Sequence, residues 1–297
     1  MIEFVIAQRI RNLGAFEVGR VLPFGKRRMV GPYIFFDRMG PKQIQPGLPP
    51  EADVLPHPHI GLSTITYLFD GQIMHRDSVG SEQVILPGEV NWMTAGSGIT
   101  HSERFEDLRV HGGPLDGIQA WVALPDEREE ADPGFWHYDN SQLPVFSEGG
   151  LTGRIIAGRL AGVESPVKTD SPQFYVHWQL QAGTRVSLPA EYSERAVYVA
   201  NGEVDVAGQR VDVGNMALLA PGNAVTITAH SNAVVMALGG EPVGHRYIDW
   251  NFVSSSQERI QQARADWAAG RMKLPDLDNE EFIPLPPQFG AAPEPMS

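Results

Sequence analysis

The sequence predicts an all-β chain in two similar halves, joined by a charged linker and followed by one surface helix. Three observations predict it. Short apolar runs of roughly 4 to 8 residues are separated by turn signals every ~8 to 12 residues. Glycine and proline number 31 and 24 in 297 residues, without a collagen-like period. The order of turns also repeats: Thr66 to Gly71, ending Asp70-Gly71, matches Val197 to Gly202, ending Asn201-Gly202, and Leu86-Pro87-Gly88 matches Ala220-Pro221-Gly222. This is the spacing of a sandwich or barrel rather than of alternating strand–helix units.

In the first half, Leu62 to Phe69 is rich in β-branched and aromatic residues and stops at the Asp70-Gly71 hairpin. Gln72 to Asp77 is its return strand. Gln83 to Leu86, Val90 to Thr94, Ile99 to Phe105 and Ile118 to Leu124 read as further strands. Between Pro125 and Gln142 the pattern dissolves into charged and turn-forming residues, which sets the expected domains at 1–135 and 136–297. In the second half Phe174 to Ala182, Arg195 to Ala200, Glu203 to Val206 and Ala224 to Ala229 are the expected strands. Ser255-Ser256-Gln257-Glu258 reads as a capping box, and Ile260, Ala263 and Trp267 recur at helical spacing up to Gly270. A surface helix over 256–269 follows, then a proline-rich acidic tail lying against a domain or partly mobile.

Composition excludes several functions. There is no cysteine, hence no disulfide, thiolate metal site, Fe–S cluster or cysteine nucleophile. The formal net charge of −13 opposes binding to a phosphate backbone, and Lys26-Arg27-Arg28 is too short a basic run to reverse that. The N-terminus lacks a charged region followed by an apolar run and cleavage site, and no stretch approaches ~18 uninterrupted apolar residues. A cytoplasmic location is therefore expected.

The chemistry concentrates in His57-Pro58-His59 and His101-Ser102-Glu103. On a strand, positions i and i+2 share a face, so each pair offers two ligands to one point. Pro56 and Pro58 favour an extended backbone at a strand start or rim. Two such strands together supply three imidazoles and one carboxylate. That set suits one divalent first-row ion and fits calcium or magnesium poorly. Iron(II) is the first choice, because mixed His/carboxylate sites with open positions recur in non-haem iron oxygenases; Mn, Ni, Cu and Zn are the alternatives. A zinc hydrolase would need further Asp and His ligands for a two-metal centre.

The run His57-Pro58-His59-Ile60-Gly61, then Thr64 to Tyr67, His75-Arg76-Asp77-Ser78, Asn91 to Gly96 and Gly98 to Glu103 resembles the pirin family, two-domain members of the cupin superfamily. Gly31-Pro32 to Phe36-Asp37 and Phe252 to Ser256 are also similar, so the likeness covers about residues 5 to 272. The resemblance implies tandem cupin barrels, a bicupin, with one iron held in the first barrel by His57, His59, His101 and Glu103. Some pirins resemble quercetin 2,3-dioxygenases, which open the flavonol ring with O₂. Others act as metal- or redox-dependent regulators that bind a protein partner, which is the alternative function here. Under the enzymatic reading the partners are a small phenolic substrate and O₂, and Glu103 is both ligand and catalytic base.

Two departures from the family matter. Many pirins carry a glutamate where this chain has Ser63, which is expected to remove an acidic group near the pocket. In the second half the corresponding ligand positions fall near Pro189, Glu191 and Arg195, so no second metal is expected there. His75 is expected to bond Asp77 or backbone rather than act on substrate, and His111, His137, His177, His230 and His245 to be structural. Trp92 and Trp121 are expected in the core. The Gly96-Ser97-Gly98 loop has no following lysine or helix and is no phosphate cradle.

Overall fold

The computed structural model describes residues 1–12 and 17–287. It divides into two compact units that are discontinuous in sequence. One comprises Met1–Ile10, Gly19–Phe36 and Tyr138–Val243; the other comprises Arg11–Val18, Asp37–His137 and Gly244–Ser297. The expected cut near residue 135 is linear, whereas these units exchange their terminal segments.

The unit built around 138–243 is a two-sheet assembly. Its larger sheet has eight strands, with Met216–Leu219, Glu194–Asn201, Ala233–Gly240, Gln173–Leu180 and Leu151–Leu160 as successive antiparallel neighbours. The smaller has four: Arg185–Leu188, Val225–Ala229, Val204–Val206 and Gln209–Val211. Alternate residues of both sheets form one apolar cluster, including Phe174, Val176 and Trp178 from one strand, and Val197, Val199, Val235 and Ile227 from others. At the Asn201-Gly202 turn, Gly202 has φ +86° and its N–H is capped by Asn201 Oδ1 at 2.9 Å, as that dipeptide predicts.

The unit built around 37–137 follows the same plan. A four-stranded sheet runs Val54–His59, Ile99–Arg104, Ile73–Asp77, Glu82–Ile85. A second sheet contains Gly134–Tyr138, Val90–Thr94, Leu62–Asp70 and Gly113–Ala123 in that order. Leu68, Ile73, Ile85, Phe105, Leu108 and Leu115 close one end as a small core. The segment expected to be an irregular linker contributes the strand Gly134–Tyr138, which finds its hydrogen-bond partner in Val90–Thr94.

The helix spans Gln257–Ala268, and Ile260, Ala263 and Trp267 bury against Ile60 and Phe252. The helix thus belongs to the unit around 37–137 rather than to the second half of the sequence. Its cap is Ser256, whose Oγ accepts from Arg259 N and donates to Glu258. Ser255 is unavailable for that role because its N–H and hydroxyl both donate to Glu129. The tail after Pro275 is described to residue 287; its last ten residues lie outside the described residues. No helix among the described residues is long and apolar enough to cross a membrane.

Candidate metal centre

The centre starts with a defect in a strand pair. Val54–His59 and Ile99–Arg104 are antiparallel, with His101 opposite His57 and Ile99 opposite His59. Regular pairing would then place Glu103 opposite Leu55, but the register shifts and Glu103 faces Val54. The extra residue falls at Leu55-Pro56, where proline has no N–H to give the ladder. Within this bulge the Leu55 carbonyl accepts from His57 Nδ1 at 2.8 Å. Gly61 then turns the chain at φ +66°; a Cβ there would collide with the Val253 carbonyl.

His57, His59 and His101 converge as the spacing requires. Their ligand nitrogens lie within 4.8 Å of one another, and among the described residues they are the one such His/Asp/Glu trio. All three are buried, with His101 only 1% exposed. Nδ1 of His59 donates to the Asn251 carbonyl at 3.2 Å. Carbonyls therefore take Nδ1–H of His57 and of His59, which leaves each Nε2 as a free lone pair. His101 sits between them, its ring centroid 4.4 Å from His57 and 5.1 Å from His59, and neither of its buried ring nitrogens has a hydrogen-bond partner. A buried imidazole with two idle nitrogens costs free energy unless something accepts that lone pair.

Charge reinforces this reading. Burial brings His57 down to about 4 from its ordinary 6.5, against the hydrogen bond to Leu55. Burial, then the neighbouring histidines, hold His59 and His101 well below the ordinary value. All three are neutral at pH 7, which is the protonation state a metal needs. The donor set therefore fits a divalent transition ion.

Glu103 is not part of the trio. It lies on the same strand as His101, 9% exposed, with Thr66 Oγ1 at 3.4 Å from Oε1. Burial raises its carboxyl to about 7, opposed by the Thr66 hydroxyl. Thr66 Oγ1 also lies 2.8 Å from Gln119 Oε1, and its single proton serves one of the two oxygens at a time. Trp121 is buried as expected, but its ring also meets the His59 ring edge to face at 5.0 Å. Trp92 is core, with its indole N–H on Thr94.

His75 behaves as expected: Nε2 bonds Asp77 Oδ2 at 2.9 Å, in a buried pair. Burial alone would raise the Asp77 carboxyl, but hydrogen bonds from His75 and Ser81 bring it below its ordinary value. The His75 ring stacks on Phe135 at 4.3 Å and lies 5.2 Å from His101. His137 is held by Asn91 Oδ1 at 2.8 Å.

Ser63 corrects an expectation. It is fully buried and its hydroxyl bonds Thr94 Oγ1 at 2.9 Å. Thr66 reaches Glu103, so Ser63, three positions away on the same strand, leaves the opposite face. The glutamate missing at this position is not missing from the metal pocket.

Sequence reasoning missed Thr66, Gln119, Phe135 and the Asn251 carbonyl. Thr66 was reachable by strand alternation from Leu68. Phe135 lay in a stretch read as linker, and nothing local marks Asn251, whose carbonyl arrives from 192 residues away.

In the second half the ligand positions hold no ligands. Arg195 is buried and its guanidinium donates to the carbonyls of Pro189, Ala220 and Asn223. Glu191 accepts from Ala161 N.

The pirin family model matches residues 15–122, and the model of the pirin C-terminal cupin domain matches residues 175–273. A pirin-like protein of Caulobacter vibrioides is 62% identical over 96% of this chain and 100% of its own length. The chain belongs to the pirin family. Among solved structures, a quercetin 2,3-dioxygenase from Acinetobacter baumannii is 33% identical, covers 97% of each chain and superposes with a TM-score of 0.87. A second quercetin 2,3-dioxygenase structure from that organism is 25% identical, covers 92% of this chain and 98% of its own, and has a TM-score of 0.83. This pirin is accordingly a bicupin with a three-histidine site compatible with a metal ion.

Proposed function

We propose that this pirin is a mononuclear non-haem metal dioxygenase that opens a flavonol-like ring with O₂, its ion held by His57, His59, His101 and Glu103. The observation that carries the reading is His101: a buried imidazole, both nitrogens without a partner, set between two histidines whose Nδ1 atoms are already engaged. The likeness to a quercetin 2,3-dioxygenase at 33% identity over almost the whole chain supports the substrate class. Iron(II) is the proposed ion, on the ground that three imidazoles and a carboxylate with open positions suit it.

When bound, the ion supplies a Lewis-acid anchor for a deprotonated substrate oxygen and redox access to O₂. The chain's own residues do the rest. The carbonyls of Leu55 and Asn251 fix the imidazole tautomers of His57 and His59. Trp121 covers one side of His59 and keeps water from it. Glu103 would accept the phenolic proton at a carboxylate oxygen freed from the ion, with the Thr66 hydroxyl 3.4 Å from Oε1.

The test compares flavonol loss and oxygen uptake by iron(II)-loaded wild type and His101→Ala. Wild type is expected to consume both and the variant to fall to background. Equal rates would remove the enzymatic reading.

A further inference from the structure

The chain after the helix runs along the back of both ligand strands. Thr100, Ser102 and Arg104 alternate with His101 and Glu103, so they leave the opposite face of the same strand. All three are gripped from outside. Thr100 Oγ1 donates to the Lys273 carbonyl at 2.5 Å, and Ser102 Oγ donates to Asp278 Oδ2 at 2.6 Å. The Arg104 guanidinium forks onto both Asp278 oxygens, Nε at 2.7 Å and Nη2 at 2.6 Å. Five residues on, Ile283 N–H donates to the carbonyl of Pro56, beside His57, at 2.8 Å. The segment is itself tied down where Trp267 Nε1 donates to the Ile283 carbonyl at 3.0 Å and Phe282 packs edge-on against Trp267.

The place where it grips is where the pairing to Val54–His59 is irregular. The register shift lies between His101 and Glu103, opposite Pro56, which has no N–H. The ladder to Ile73–Asp77 stays in register through His101 and Glu103, so the irregularity bears on how this pair sits against His57 and His59. Asp278 holds the back of this stretch with a charge-assisted fork to Arg104 and a third bond to Ser102. The carboxylate and guanidinium are 11% and 14% exposed, so solvent screens the pair little. This segment begins where the match to the C-terminal family model ends, at residue 273.

We infer that Asp278 is a positioning residue for the metal centre, setting His101 and Glu103 through Ser102 and Arg104 without touching the ion. This rests on the metal reading above. A clamp of this kind acts on affinity and ligand geometry, as outer partners of metal ligands do, where a loss is worth roughly 10- to 100-fold.

The test titrates cobalt(II) into apo full-length wild type, Asp278→Ala, Ser102→Ala and, as a control on the same segment, Asp276→Ala, whose carboxylate pairs with exposed Lys273. Affinity, the visible spectrum of the bound ion, and melting temperature with and without metal are read for each. Asp278→Ala is expected to weaken binding about tenfold or more, to alter the spectrum and to shrink the metal-induced rise in melting temperature. Ser102→Ala should do so to a smaller degree, and Asp276→Ala should match wild type. A role confined to stability would lower the apo and loaded melting temperatures together and leave affinity and spectrum alone. Affinity and spectrum unchanged in Asp278→Ala would overturn the inference. Should Asp278→Ala fail to fold, an unchanged Ser102→Ala overturns it instead. Wild type that binds no cobalt defeats the metal reading, and this inference with it.

Discussion

The two halves use the same plan and fill it with opposite chemistry. Around 138–243, the inward positions of both sheets are Val, Ile, Leu, Ala, Phe and Trp, and they close into one apolar cluster. Around 37–137, the corresponding space holds three neutral histidines, a carboxyl raised to about 7, Thr66 and Gln119. At the ligand positions one half has a histidine without a hydrogen-bond partner, and the other has Arg195, whose two terminal nitrogens donate to backbone carbonyls. A cupin sheet pair therefore folds with or without an interior site. What differs is whether the inward positions carry a cluster of imidazoles or apolar side chains.

The largest test of this contrast is acid. Each site histidine is charged in the unfolded chain below 6.5 but stays neutral when folded, so the unfolded state binds more protons and apo stability falls as pH drops from about 6.5. For His57, with its folded value about 4, the loss completes near pH 4 and amounts to about 3 kcal/mol. Glu103 acts in the opposite direction. Its raised value means the folded state binds more protons between 4.5 and about 7, so its contribution grows as pH falls through that window. Three histidines outweigh one carboxyl, and Glu103→Gln should make the acid loss steeper. Denaturant unfolding of apo protein from pH 7 to 4 measures both. A flat profile would mean the histidines are not buried neutral.

A smaller effect is expected from breaking the apolar half. Val235→His places an imidazole in the filled cluster with no second and third ligand beside it, so it should cost about 2–4 kcal/mol and bind no additional metal. Urea unfolding and metal stoichiometry decide it; a second equivalent of bound ion would show that the two interiors are less different than their packing.

The smallest is Ser63→Ala. It removes one buried hydroxyl pair with Thr94 and should cost about 1 kcal/mol with no change in metal affinity, because Ser63 faces away from the histidines. A change in affinity would place Ser63 back in the pocket.

Much of this was legible in the chain. Val90–Thr94 carries its predicted bounds, Leu62–Asp70 differs from its expected span by one residue at one end, and Gln257–Ala268 by one residue at each end. Periodicity and turn dipeptides are local, and so are the helix cap and the i, i+2 histidine pairs. What missed was long-range in origin. Gly134–Tyr138 is aromatic but follows a charged, turn-forming stretch that masks it, and it becomes a strand beside Val90–Thr94. The helix sits with 37–137 because Ile60 and Phe252 receive its apolar face.

The sequence by itself determined that two strands would each present a pair of ligand-competent side chains to one face, because the period of a strand is two and depends on nothing else. Only the tertiary structure decided the rest. It supplied the shifted register that brings Glu103 opposite Val54, the Asn251 carbonyl that orients His59, and the acidic tail that grips Ser102 and Arg104 from behind. Those depend on which remote backbone arrives at an unsatisfied group, and that is settled by burial and hydrogen-bond satisfaction over the whole unit.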